Sequence, residues 1–241
     1  MTTELLPAAG RSKRLAEKFA LAYPVMLAAS TALWSHPQAR ALYPHYLKHM
    51  HMVVRSSVNL MREAAELLHT RHPGDPISTP LATYLQQHLK EEKGHDEWLI
   101  ADYVCTGHEV ADLLSAVPPP CVANLVGAQY YWMKHHHPVA VLGHIAALEF
   151  HHPPQGFARH LSQVTGYPTP CFRTIERHER LDVAHKAELV TLIDALPMTP
   201  AQEALMGLSG LHTLQCGVDV LERVLGSVAP ASALDGVTQA S

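Results

Sequence analysis

Proline-rich segments divide this sequence into stretches that each show helical periodicity. The breaks have the sequences RHPGDP, VPPPC, HHPPQG and YPTP, beginning at residues 71, 117, 151 and 167. Proline interrupts helices, and strand-like alternation is nearly absent between the breaks. We therefore predict an all-α bundle in one domain over residues 1–227, followed by a disordered tail over 228–241. About seven to eight helices are predicted, over 11–34, 39–70, 79–106, 108–116, 121–150, 155–165, 170–196 and 199–227.

The composition is typical of a globular protein with a substantial core. Of the 241 residues, 47% are hydrophobic and 17% are charged. The net charge of −4 provides no basic face for nucleic acid. The longest nearly apolar run, PVAVLGHIAALEF, is too short to span a membrane and contains His144 and Glu149. The first residues lack the apolar segment of a signal peptide, so we expect a cytoplasmic protein.

The four cysteines indicate the same compartment. Cys105, Cys121, Cys171 and Cys216 lie far apart and form no CxxC pair. This spacing favours reduced thiols over a disulfide framework or a thiolate zinc site. Cys121 follows three prolines, but no base is positioned to activate it, so we interpret it as an inert thiol.

The first of three polar interruptions lies in the sequence HERLDVAH, residues 178–185. Read at steps of three and four, the helical stripe consists of Ile175, His178, Asp182, His185, Leu189, Leu192 and Leu196. Its apolar ends favour burial, so the same stripe carries two imidazoles and a carboxylate inward. Such groups are costly to bury unless they are paired or bound to something. The stripe therefore predicts either an internal His–Asp hydrogen-bond network or a metal site.

A second interruption lies in the predicted helix 79–106. The stripe there consists of Leu81, Leu85, His88, Glu92, His95 and Leu99. Glu92 and His95 form an E-x-x-H pair, whose side chains project from one face of a helix. Glu91 would point about 100° away from that face, so Glu92 is the preferred ligand. His88, one turn earlier, is a candidate outer partner of the ligands or an alternative ligand.

A third interruption ends the predicted helix 121–150. Its stripe consists of Tyr131, His135, Pro138, Leu142, Ile145 and Glu149. Glu149 ends an aliphatic run in which a lone carboxylate would be poorly solvated. Pro138 predicts a kink in this helix.

Together these stripes provide six candidate metal ligands: Glu92, His95, Glu149, His178, Asp182 and His185. A set of oxygen and nitrogen ligands without thiolates suits iron or manganese better than a structural zinc ion. One metal centre explains all three interruptions, so we prefer it to a polar network. The ferritin-type centre needs E-x-x-H on two helices, whereas here only one helix has it.

The same segments resemble those of the haem-oxygenase-like di-iron oxidases, which share a fold with thiaminase-like proteins and the pyrroloquinoline quinone synthase. HLKEEKGHDEWLIADYVCTG is similar to the first ligand helix of that family. LVGAQYYWMKHHHPVAVLGHIAALEF is similar to its core helix that ends in a bridging glutamate, here Glu149. HERLDVAHKAELVTLID resembles the H-x-x-x-D-x-x-H helix of the metal-binding branch. The likeness covers most of the chain and implies a haem-oxygenase-like bundle.

The resemblance implies a function that the spacing alone does not. It implies two Fe²⁺ ions per chain, one of them labile, with O₂ as co-substrate. The implied substrates are small amino-acid-derived or carboxylate metabolites of specialised metabolism, which undergo N-oxygenation, oxidative C–C cleavage with decarboxylation, or desaturation. A homodimer is implied as well. Two alternatives stay open: a cofactorless enzyme resembling the thiaminase or quinone-synthase branch, and a non-enzymatic metal-binding protein, which the 19 histidines suggest.

Other polar and aromatic residues have ordinary structural interpretations. Arg55 could pair with a substrate carboxylate, although a surface arginine is the preferred interpretation. Tyr130, Tyr131 and Trp132 could line a pocket, but core packing is the default for aromatic residues on a helix. The KHHHP tract at 134–138 is interpreted as a solvated helix end.

Overall fold

The computed structural model describes residues 10–151 and 153–228, and within these ranges it contains helices and no β-strand. The ten α-helices described are α1 (Arg11–Trp34), α2 (Ala39–Arg71), α3 (Ser78–Glu92), α4 (His95–Cys105), α5 (Val110–Leu114), α6 (Pro120–His135), α7 (Val139–Glu149), α8 (Phe157–Thr165), α9 (Arg173–Ala195) and α10 (Pro200–Leu225). A short 3₁₀ helix, Thr169–Phe172, precedes α9. The prediction of a single all-α bundle is confirmed. Apart from residue 228, the predicted tail lies outside the described residues.

The helix predicted over 79–106 is divided into α3 and α4. It ends at Glu92 and begins again at His95, because Lys93 is extended and Gly94 has a φ of +90°. This left-handed conformation costs glycine little and commonly ends helices. Glu92 and His95 therefore lie on two helices rather than on one.

The helix predicted over 121–150 is divided in the same way. It ends at His135, and α7 begins at Val139. Pro138 lacks an N–H and cannot continue the helical hydrogen bonds, so it separates two helices instead of bending one. These two divisions explain why ten α-helices are seen where about eight were predicted. No helix in the described part of the chain is long and apolar enough to cross a membrane.

Helix α7 packs backbone-to-backbone against α10 in the middle of the bundle. All residues from Val139 to Ala147 are buried. A Cβ atom on Gly143 would lie 2.0 Å from the carbonyl oxygen of Met206, and one on Gly210 would lie 2.9 Å from the carbonyl oxygen of Gly143. No side chain fits between the two helices at this point, so glycine is required.

Three clusters of buried hydrophobic residues fill the described part of the bundle, and the two larger ones, called here the first and second cores, contain residues of the helices that carry the predicted ligands. The first core, which includes Leu85 and Leu189, lies among α1, α2, α3, α7, α9 and α10. The second core, which includes Leu99 and Ile175, lies among the ends of α1, α2 and α10 together with α4, α8 and the 3₁₀ helix. The α3–α4 pair therefore passes from the first core to the second, whereas α9 passes from the second to the first. The polar interruptions of both lie where the two cores meet.

Two buried carboxylates hold the starts of helices. Asp102 of α4 accepts hydrogen bonds from the backbone nitrogens of Arg173 (3.1 Å) and Thr174 (2.8 Å), at the start of α9. Glu179 of α9 accepts two from backbone nitrogens at the start of α8, at 2.7 and 2.8 Å. The unpaired N–H groups of a helix start favour a carboxylate. These contacts fasten α4, α8 and α9 together.

A disulfide also joins α4 to the segment that precedes α9. It connects Cys105 with Cys171, whose Cα atoms are 5.1 Å apart. The prediction of reduced thiols is therefore wrong for this pair, which meets through tertiary packing across a separation of 66 residues. Cys121 and Cys216 are free thiols, as predicted.

Replacing Gly143 with alanine is expected to destabilise the protein by at least about 2 kcal/mol, because the new methyl group overlaps the backbone of α10. The measurement is the free energy of unfolding in urea. Gly127→Ala is the matched control, because a Cβ atom there meets nothing within 4 Å and alanine favours a helix. Equal stability of the two variants would contradict the close approach of α7 and α10.

Removing the disulfide with the double variant Cys105→Ser/Cys171→Ser should lower the free energy of unfolding by about 2–4 kcal/mol, because the unfolded chain gains entropy. The control is Cys121→Ser, which removes a free thiol. An unchanged melting temperature in the double variant, with a reducing agent making no difference to the wild type, would show that the bond does not form.

Candidate metal centre

The predicted ligands converge where the two cores meet. The α3–α4 pair contributes His88, Glu92 and His95, α7 contributes Glu149, and α9 contributes His178, Asp182 and His185. All are buried except His178 and Glu92, which are partly exposed. The inward stripe of α9 is confirmed, whereas the predicted stripe of the α6–α7 segment is wrong at its start, since Tyr131 is 65% exposed.

A first ligand group consists of His88, Glu92, Glu149 and His185. One ligand atom from each lies within 4.8 Å of the others. The tightest contact joins Nε2 of His88 to Oε1 of Glu149 at 2.9 Å, and Nδ1 of His185 is 3.6 Å from the same oxygen. His88, predicted as either an outer partner or an alternative ligand, thus lies among the candidate ligands themselves.

A second ligand group consists of Glu92, His95 and His178, whose ligand atoms also lie within 4.8 Å of one another. Nδ1 of His95 is 3.0 Å from Oε2 of Glu92, and the rings of His95 and His178 are nearly perpendicular with centroids 5.0 Å apart. Glu92 belongs to both groups. The carboxylate shared by the two groups is therefore Glu92, whereas the resemblance implied that Glu149 has the bridging role.

Asp182 lies beside these groups, with Oδ1 3.8 Å from Nδ1 of His185. Burial raises the pKa of Asp182 to about 6, and His178 opposes this shift while Glu149 adds to it. For His88, burial opposes protonation but the bond to Glu149 raises the pKa. For Glu92, burial opposes ionisation but the contact with His95 lowers the pKa. The protonation state of each of these three groups therefore depends on the charges of its neighbours.

The chain supplies buried ligand atoms that lack protein partners. Nδ1 of His185 and Oε2 of Glu149 have no hydrogen-bond partner among the described residues. Buried polar atoms are normally paired, so these two atoms are available to bind a cation. Nδ1 of His178 is 2.8 Å from the carbonyl oxygen of Thr174, which leaves Nε2 free to bind a metal.

Three residues around the site were not predicted. Tyr84 stacks on His88 with ring centroids 5.4 Å apart, and Trp98 packs against His95 at 3.9 Å. Each lies one helical turn from the histidine that it contacts, so the spacing could have indicated both. The third is Glu91, whose Oε2 is 3.6 Å from Nδ1 of His88 and 3.7 Å from Nε2 of His185. The expectation that Glu91 points away from the site is wrong, because Glu91 lies three residues after His88 on α3, a spacing that places both side chains on one face of the helix.

The remaining predicted residues lie elsewhere. Arg55 is half-buried on α2. The pKa of His51 is lowered first by the burial of its own imidazole and then by the positive charge of Arg55. In the histidine tract, His135 and His136 are exposed as predicted, but His137 is buried with Nε2 3.2 Å from Asp75.

Comparison with protein-family models and with curated protein sequences gives no match. Solved structures do match. A domain of unknown function with a heme oxygenase-like fold from Shewanella denitrificans is 15% identical, with a TM-score of 0.75, over 95% of this chain and 96% of that chain. A TenA homolog from Pseudomonas syringae pv. tomato is 14% identical, with a TM-score of 0.64, over 89% of this chain and 92% of that chain.

The chain therefore has the haem-oxygenase-like fold, as its motifs implied. It shares this fold with a TenA homolog. At these sequence identities the likeness concerns the fold alone.

Acidification should destabilise the protein through His144, a buried histidine of α7 outside the ligand groups. Burial lowers its pKa to about 4, and its Nδ1 lies 3.0 Å from Oγ1 of Thr213. The unfolded chain binds this proton near pH 6.5 and the folded chain only near pH 4, so stability falls as the pH drops between these values. From pH 7 to pH 4, wild type should lose up to about 3 kcal/mol relative to His144→Gln.

The measurement is the free energy of urea unfolding against pH for both proteins. His160→Gln, which changes an exposed histidine, is the control and should follow the wild type. A constant difference between wild type and His144→Gln across this range would show that His144 titrates normally.

Proposed function

We propose that the protein is a non-haem di-iron enzyme that uses O₂ to oxidise a small amino-acid-derived or carboxylate metabolite. The main support is the pair of ligand groups, which share the partly exposed Glu92 and otherwise consist mostly of buried residues. A shared carboxylate between two sets of histidines is an arrangement that suits two metal ions. Carboxylate and imidazole ligands without thiolates favour iron or manganese.

Different residues of the chain would have different roles in such a centre. His88, Glu149 and His185 would hold one ion and His95 and His178 the other, with Glu92 between them. The carboxylates, Asp182 included, would balance the positive charge, and the carbonyl oxygen of Thr174 orients His178. Trp98 and Tyr84 pack against His95 and His88 and would support the orientation of these two rings. Two ferrous ions, when bound, would supply electrons for the reduction of O₂.

The substrate is proposed from the resemblance of the motifs. The reactions under this proposal are N-oxygenation, oxidative C–C cleavage with decarboxylation, and desaturation. Arg55 as a contact for the substrate carboxylate, the homodimer and the cytoplasmic location stay predictions. The Cys105–Cys171 disulfide is a feature more common outside the cytoplasm.

The deciding experiment titrates ferrous iron into the metal-free protein without oxygen, then adds O₂ with candidate substrates. Metal content and oxygen consumption are measured. About two irons per chain with substrate-dependent oxygen uptake would support the proposal. Substrate turnover that survives chelation would instead favour a cofactorless enzyme. Stoichiometric metal binding without oxygen uptake would favour a metal-binding protein.

His178→Ala should reduce iron content to about one ion per chain or fewer and abolish oxygen uptake, because it removes one of two imidazoles in the second ligand group. Helical content by circular dichroism should be unchanged, since His178 is only partly buried. His69→Ala, which removes an exposed histidine of α2, is the control. Normal iron content and oxygen uptake in His178→Ala would disprove its assignment as a ligand.

A further inference from the structure

Glu91 and Glu149 contact the same two imidazoles through different ring nitrogens. His88 directs Nε2 to Glu149 at 2.9 Å and Nδ1 toward Glu91 at 3.6 Å. His185 directs Nδ1 to Glu149 at 3.6 Å and Nε2 toward Glu91 at 3.7 Å. Each imidazole therefore lies between the two carboxylates.

The two carboxylates differ in exposure. The side chain of Glu149 is 8% exposed and that of Glu91 is 33% exposed, so Glu149 lies on the inner side and Glu91 on the outer side. Nε2 of Gln87 donates a hydrogen bond of 2.7 Å to Oε1 of Glu91. This bond engages Oε1, and Oε2 is the oxygen that faces the two histidines.

A neutral imidazole that binds a metal through one nitrogen carries its proton on the other. A carboxylate that accepts this proton in a hydrogen bond fixes the orientation of the ring and makes the ligand nitrogen more basic. In the first ligand group, the nitrogens of His88 and His185 that face Glu149 are positioned for a metal. The nitrogens that face Glu91 are the ones that would then carry hydrogen.

We propose that Glu91 is a positioning residue that accepts hydrogen bonds from Nδ1 of His88 and Nε2 of His185, and so selects the nitrogens that bind metal. The inference rests on the proposed function. The present distances of 3.6 and 3.7 Å exceed those of hydrogen bonds, so the proposal requires Oε2 of Glu91 and the two imidazoles to approach each other more closely when a metal is bound. Glu91 is separate from both ligand groups, which fits an outer role better than a role as a ligand.

The first test titrates Zn²⁺, a diamagnetic probe, into wild type, Glu91→Gln and Glu97→Gln by calorimetry. Glu97 is an exposed residue of the first turn of α4, so Glu97→Gln makes the same change in charge away from the imidazoles. Glu91→Gln should weaken one binding event by about 10–100-fold, the typical effect of losing an outer partner. Glu97→Gln should stay within about twofold of the wild type, since exposed charges are screened.

The second test identifies which nitrogens carry hydrogen, by ¹⁵N NMR of the histidine side chains in the Zn²⁺-loaded proteins. Wild type and Glu97→Gln should show slowly exchanging protons on Nδ1 of His88 and Nε2 of His185. In Glu91→Gln these protons should exchange rapidly. A residue with a merely structural role would leave these signals unchanged.

The outcomes separate this inference from the proposed function. Wild-type affinity and unchanged protons in Glu91→Gln, or equal losses of affinity in both variants, would overturn the role of Glu91 alone. Zinc bound through Nδ1 of His88 would also overturn it. A wild-type protein that binds neither zinc nor iron would overturn the inference and the proposed function together.

Discussion

The close approach of α7 and α10 is the constraint on which the rest of the structure depends. Because Gly143 allows the two backbones to touch, α7 can lie at the centre of the bundle with almost every residue buried. The last residue of this helix is Glu149, which is thereby carried to the boundary of the two cores. A carboxylate at that depth is tolerated because imidazoles from α3 and α9 surround it. Backbone packing and the chemistry of the site are therefore linked through one helix.

The location of the site follows from the apolar residues that flank the polar ones on the α3–α4 pair and on α9. Leu85 and Leu189 lie in the first core, and Leu99 and Ile175 lie in the second. The intervening stretches must cross between the cores, and both carry their polar residues there. The same contacts raise the pKa of His88 despite burial, because a carboxylate is its neighbour. Ionisable side chains are therefore concentrated where these stretches cross between the cores, and most of them are buried.

The features predicted correctly from the sequence are those that depend on residues close together along the chain. The stripe of α9 was correct because apolar residues flank its polar centre at helical spacing, as in Ile175 and Leu189. The break at Gly94 was missed because a single glycine within a helical pattern is usually tolerated. Glu91 was assigned to the wrong direction because its angle was compared with that of Glu92, whereas it lies at i, i+3 spacing from His88. The disulfide could not be predicted, because Cys105 and Cys171 meet only through tertiary packing.

The attachment of α9 to α4 fixes one side of the candidate centre. Asp102 and the disulfide tie the start of α9 to α4, and α4 begins with His95. His95 and His178 are therefore held beside each other, whereas His88 and Glu149 are held by the packing of α3 and α7. The same helix α9 carries His185 to these two residues, and Gly94 separates α3 from α4. Ions held by residues of all four helices would link α3 to α4 across the break at Gly94, so metal binding would add to the stability of the bundle.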